Sequence, residues 1–165
     1  MKSILYMCLC NECEFLLFSY LDFINLMAYD FHGKWESQTG HNAPLYAPSS
    51  DSEWRKQLSV SHAASMWVRL GAPKEKLVIG MPTYGRSFTL SDPRNFSVNV
   101  ATKGGGVAGV YTREGGFLAY YEVRERRHDD RKRYVYVSFP IQLHHITPIC
   151  TLLRVSLRLS LPFGR

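Results

Sequence analysis

Cysteine is sparse where a stapled fold would need it. Cys8, Cys10 and Cys13 crowd into six positions, Cys150 stands alone, and residues 20–122 hold none. A disulfide scaffold spreads its cysteines over the fold, so such a scaffold is excluded and the redox compartment stays open. After Cys10 and Cys13 no CxxC pair or His-rich partner follows at zinc-like spacing, which argues against a structural zinc module. His144-His145 has no acid or Cys beside it and reads as a surface pair. Long apolar runs are missing too. The run after Lys2 is broken by Asn11, Glu12 and Glu14, and no small-residue cleavage pattern follows. That pattern argues against a working signal peptide and against a bilayer span. Gly104-Gly105-Gly106 lacks a following Lys-Ser/Thr, so it is not a phosphate loop.

The excess of basic charge is local. The net charge is +6, but Arg124–Arg165 alone carries nine Lys/Arg against three Asp/Glu, leaving the body neutral. A nucleic-acid footprint needs a basic face on a folded domain, and the body offers none. No nucleic-acid partner and no membrane partner is expected. Asn95-Phe96-Ser97 is an N-glycosylation sequon, relevant only to a secreted chain.

What is present begins with Leu21–Asp30, which reads as one strand. Phe23, Asn25, Met27 and Tyr29 share one parity; Ile24, Leu26 and Ala28 share the other. Apolar residues on both parities suit a strand covered on both faces, as in parallel sheets. Polar groups gather at its C-terminal end, where parallel α/β folds place ligand chemistry. A carboxylate, a phenol and a nearby indole there suit a sugar, whose ring stacks on aromatic faces and whose hydroxyls meet acids and phenols. The alternative is a plain buried strand ending in a solvated acidic turn. Residues 31–54 follow as a loop rich in Gly, Pro, Ser and Asn. Asp51 or Ser52 is placed to cap a helix over Glu53–Leu70, with Val60, Ala63, Ala64, Trp67 and Leu70 as its buried stripe and Trp67 in the core. Gly71 is placed to end it and Pro73 prevents its continuation. Leu77–Met81 is then a short buried strand, completing a βαβ unit with a right-handed crossover. From Ser87 to Glu122 the pattern changes to short alternating pieces such as Phe96–Val100, punctuated by the glycine run.

Three stretches in order carry a family resemblance: Tyr20–Glu36 with Thr39–Tyr46, Gly71–Phe88, and Gly115–Glu122. The sequence resembles glycoside hydrolase family 18, the chitinases and chitinase-like lectins. The resemblance implies an α/β fold: a fragment of a TIM (β/α)8 barrel, about strands 6 and 7 with the helix between, plus the start of an α+β insertion. A whole barrel takes about 250 residues, more than the 165 here. The expected organisation is an atypical segment 1–19, a partial family domain 20–122 (barrel part 20–86, insertion 87–122), and a basic tail 123–165. The termini are expected to be disordered, and the tail to be foreign to the family.

The family cleaves β-1,4 bonds between N-acetylglucosamine units with help from the substrate's own acetamide, a departure from the two-carboxylate scheme. Its acid ends a DxxDxDWE motif, which this chain lacks; Asp51-Ser52-Glu53-Trp54 has similar letters in the wrong order. The resemblance implies no catalytic acid here, but a supporting shell. Tyr29 and Asp30 match the pair that orients the acetamide and faces the developing positive charge. Met27 matches a floor residue and Trp35 a sugar-stacking residue. Tyr84 and Arg86 match cleft residues, Arg86 alternatively pairing with Asp30 or Glu36. No cofactor and no metal is expected, and the expected partner is chitin or a chito-oligosaccharide. Three readings stay open: a partial chitinase-type hydrolase, a non-catalytic chitin-binding remnant, and a mis-spliced product without function. The parent family is extracellular.

Overall fold

The computed structural model describes residues 18–126, 134–137 and 156–160. The chain divides into two compact units: Met1–Ala28 with Leu45–Met81 and Ile141–Leu159, and Tyr29–Pro44 with Pro82–Pro140 and Ser160–Arg165. The four cysteines and His144-His145 lie outside the described residues.

The first unit is a parallel pair with a helix between. Strand β1 (Ile24–Leu26) runs parallel to β2 (Leu77–Pro82), in register Ile24–Leu77, Asn25–Val78 and Leu26–Ile79. Helix α1 (Val60–Arg69) connects them in sequence, so the expected strand, helix and strand are all present. β2 reads Leu-Val-Ile-Gly-Met-Pro and is buried on both parities, as an apolar run in a parallel sheet should be. β1 departs from expectation on two points. It is three residues long, not ten, and only Ile24, Leu26 and the following Ala28 are buried. Its other face exposes Phe23 (46%), Asn25 and Met27 (51%), so the strand is covered on one side only.

Helix α1 begins later than expected. Arg55–Gln57 form one 3₁₀ turn, Leu58 leaves helical geometry, and Ser59, extended at φ −147°, is the true N-cap, its Oγ accepting the His62 N–H at 3.3 Å. The cap adjoining the apolar stripe therefore wins over Asp51 and Ser52, since it satisfies a donor of the helix that has something to bury. The helix ends as Gly71 demands. Gly71 takes φ +96°, its N–H bonds Val68 C=O, and the Ala72 N–H bonds Trp67 C=O, a Schellman closure. Val60, Ala63 and Ala64 are buried, but Trp67 is only half-buried against Phe18 (ring centroids 6.1 Å) and Leu70, the C-cap, is exposed.

The second unit is antiparallel. Strand β3 (Tyr84–Leu90) pairs with β4 (Thr102–Gly105), β5 (Phe117–Ala119) and β6 (Tyr134–Val137). Helix α2 (Tyr120–Arg126) follows β5, and Phe88, Leu90, Leu118 and Val123 form the buried apolar set. Phe96–Val100 is not a strand as expected; its turn leads to β4, which contains part of the glycine run. In the segment expected to be disordered, β6 pairs with β3, and β7 (Ser156–Ser160) lies beside β2. The Tyr-Val-Tyr-Val run of β6 is strongly β-prone, which explains why it pairs.

Candidate functional site

Tyr29 and Asp30 follow the end of β1, and Asp30 takes φ +59°. The left-handed region costs a residue with a side chain about 1–2 kcal/mol, least for Asn and Asp. Buried Asn42 holds this conformation. Its Oδ1 accepts the Asp30 N–H at 3.0 Å, its backbone C=O accepts the Phe31 N–H at 3.0 Å, and its Nδ2 donates to Tyr84 C=O at 3.1 Å. One amide thus ties the Asp30 turn to the first residue of β3.

The side chains of β3 converge on the same carboxylate. Tyr84 OH donates to Asp30 Oδ1 at 2.7 Å, Arg86 Nε donates at 2.9 Å, and Arg86 Nη2 lies 2.7 Å from that oxygen. All three fall on Oδ1, so among the described residues Oδ2 keeps its lone pairs, on a side chain 38% exposed. The Arg86 guanidinium sits among three rings, 5.1 Å from the Trp35 centroid, 5.4 Å from Tyr84 and 5.3 Å from Phe117. Cation–π attraction of this kind strengthens as the cation loses water, and the Arg86 side chain is only 11% exposed. Tyr84 also packs on Phe117 (4.7 Å) and edge-on to Tyr29 (6.2 Å). Burial first, then the bond to Asp30 and its charge, push the Tyr84 phenol far above the usual range, so it remains a donor.

Trp35 is 53% exposed and its pose depends on Gly33, where a Cβ would meet the indole ring. Buried His32 bonds Glu36 through Nδ1 at 2.7 Å, bracing the turn that carries Trp35. Glu36 is therefore engaged with His32, and of the two partners considered for Arg86, Asp30 is the one the structure provides. Five of the six residues singled out in the sequence, Tyr29, Asp30, Trp35, Tyr84 and Arg86, come together in the second unit. Met27 belongs to the first unit, on the exposed parity of β1. Asn42, His32 and Phe117 were not singled out, because nothing local in the sequence says what a buried amide, imidazole or phenyl will meet.

The arrangement is an acceptor oxygen fixed by two cation N–H groups and a phenol, beside an exposed indole. It can bind a neutral polar ligand through Oδ2 and stack its apolar face. The family model for glycosyl hydrolases family 18 matches residues 16–143, and the chain belongs to that family. Mouse chitotriosidase-1 is 46% identical over 121 residues, covering 70% of this chain and 26% of that protein. The probable chitinase 10 of Drosophila melanogaster is 47% identical over 108 residues, covering 65% of this chain and 5% of that protein. Among solved structures, human YKL-39, a pseudo-chitinase with retained chitooligosaccharide binding properties, superposes with TM-score 0.78 at 33% identity, over 88% of this chain and 44% of that one. The chain thus spans less than half the length of these relatives. Its fold is part of the family's (β/α)8 barrel.

Proposed function

We propose that this chain carries one wall of a chito-oligosaccharide cleft of a chitinase-type glycoside hydrolase and does not hydrolyse chitin by itself. In this reading Asp30 and Tyr29 orient the acetamide, Trp35 stacks on a sugar ring, and Tyr84 and Arg86 fix Asp30 and the sugar oxygens. The observation that carries it is the Asp30 carboxylate, with Oδ1 engaged by Tyr84 and Arg86 and Oδ2 open among the described residues. An anion held so is suited to the positive charge that develops on the substrate. General acid catalysis contributes roughly 10²–10⁴-fold, and the DxxDxDWE motif that would supply it is not in the sequence. The barrel part over 20–86, the insertion over 87–122 and the extracellular setting of the parent family belong to the same proposal.

A second reading, a non-catalytic chitin-binding module, is favoured by the similarity to YKL-39, which binds chito-oligosaccharide as a pseudo-chitinase. Titration of the 1–165 protein with a chito-oligosaccharide, followed by tryptophan fluorescence, separates the two. One wall buries little of a ligand where small-molecule sites bury about 70–90%, so the expected Kd is weaker than about 1 mM. The weak response should vanish in Trp35→Ala. Saturable micromolar binding lost in Trp35→Ala would establish the binding module. Turnover of a fluorogenic chito-oligosaccharide that is lost in Asp30→Ala would overturn the absence of hydrolysis, and no response at any concentration would overturn the cleft wall.

A further inference from the structure

The first unit carries a shallow, open concavity of about 470 Å³ on its surface. Tyr46, Lys56, Ser61, His62, Ser65 and Arg69 line it. Ser61, Ser65 and Arg69 stand four residues apart along α1, so they form one stripe, with His62 beside it. The buried stripe of the same helix is Val60, Ala63 and Ala64. A solvated helix face usually mixes both charge signs, whereas α1 has no acidic residue at all. The Ser61 N–H donates to Leu45 C=O at 3.1 Å, which fixes the loop bearing the exposed Tyr46 ring against the first turn of the helix. The lining thus offers basic groups, hydroxyls and one aromatic face, and no carboxylate.

Each part suits a different part of one ligand. Lys56, His62 and Arg69 suit an oxyanion. The serines can donate to and accept from sugar hydroxyls, and Tyr46 can stack on a ring's C–H face. We propose that this concavity binds an acidic saccharide, a sugar bearing a sulfate or phosphate ester. Lys56 is also paired with Glu53 at 2.6 Å, but the Glu53 side chain is 90% exposed. Such a surface pair is weak, so an incoming oxyanion displaces it at little cost.

The test is calorimetric titration of the 1–165 protein with N-acetylglucosamine 6-sulfate, N-acetylglucosamine 6-phosphate, N-acetylglucosamine and inorganic sulfate. The expected result is binding of a sugar ester at least about tenfold tighter than either the plain sugar or inorganic sulfate; the better ester identifies the source of the anion. Lys56→Ala/Arg69→Ala should weaken ester binding at least about tenfold. Glu53→Gln should strengthen it about two- to fivefold by freeing Lys56. These substitutions lie at the surface, and unchanged circular dichroism will confirm that the variants fold. Equal binding of the plain sugar, equal binding of inorganic sulfate, or ester binding indifferent to Lys56→Ala/Arg69→Ala would each overturn the proposal. So would no heat from either ester at millimolar concentration.

Discussion

The second unit holds two carboxylates in two different ways. Glu122 is almost fully buried, and both its oxygens are taken by backbone: Oε1 by the N–H groups of Tyr111 (2.7 Å) and Thr112 (3.1 Å), Oε2 by that of Ala119 (3.0 Å). Asp30 is half exposed, loads its side-chain donors onto one oxygen, and sits on a strained backbone. The difference separates a structural anion from one organised for a ligand. A carboxylate whose acceptor sites are all satisfied from within holds a loop; one that keeps an oxygen free at the cost of strain is built to meet something.

The comparison breaks most visibly at Glu122. Burial pushes its carboxyl upward, but the N–H bonds from Thr112, Ala119 and Tyr111 outweigh burial and hold it below the ordinary glutamate range. Glu122→Gln keeps the shape but turns an NH₂ toward a backbone donor and removes the charge. The expected loss is about 2–4 kcal/mol of stability, read as a lower urea midpoint. Because the folded pKa is depressed, the stabilisation is complete above the ordinary glutamate pKa and fades as pH falls through the folded one. Wild type should therefore lose stability on acidification more steeply than Glu122→Gln. Equal slopes would mean that the fold does not hold the Glu122 carboxyl below its ordinary range.

Asn42 comes next. Asn42→Ala takes the amide partner from the Asp30 N–H and the Tyr84 C=O, both part-buried, for a loss of about 2–4 kcal/mol. It should also release the turn that carries Asp30, so the weak chito-oligosaccharide response falls with stability. Asp30→Asn sharpens the contrast from the other side. Asn tolerates the left-handed backbone and keeps an acceptor for Tyr84 and Arg86, so stability should fall by only about 1–2 kcal/mol. Ligand response should be lost all the same, because the negative charge and the open Oδ2 are gone. A Glu122→Gln protein, measured where it is still folded, should keep that response.

These two carboxylates also show how far the sequence could be read. Asp30 stood at the end of an apolar strand, next to Tyr29 and near Trp35, so its chemistry was legible from neighbours in sequence. β2 was legible for a similar reason: Leu77–Met81 is apolar without a break, and burial on both faces leaves one reading. Asn42 was not legible, since its partners lie twelve and forty-two residues away. Nor was Glu122, which gathers the N–H groups of Tyr111 and Thr112 from a loop and that of Ala119 from the end of β5; the one trace is Gly109, where any side chain would strike the carboxylate. β1 was over-read, because alternation cannot tell a face that is covered from one that stays open, and Phe23 and Met27 stay open. The helix was over-read at its start because Asp51, Ser52 and Ser59 all satisfy the same capping rule.

The smallest effect is expected at Tyr84, and it isolates a single bond. Tyr84→Phe keeps the ring that packs on Phe117 and Tyr29 and that faces Arg86. It removes only the donation to Asp30 Oδ1, while both guanidinium contacts to that oxygen remain. The loss should be about 0.5–1.5 kcal/mol. Its pH dependence carries the stronger test. The folded phenol is held well above the usual tyrosine range by burial and by Asp30, so the contribution is fully present below that range. As pH rises past about 10 the unfolded tyrosine sheds its proton while the folded one keeps it, and wild type loses stability. The variant has no such phenol at this position. The stability gap between wild type and Tyr84→Phe should stay flat between about pH 7 and 9 and narrow above about pH 10. A gap that widens with alkali would mean that Tyr84 ionises in the fold, and the donor assigned to Asp30 would be lost with it.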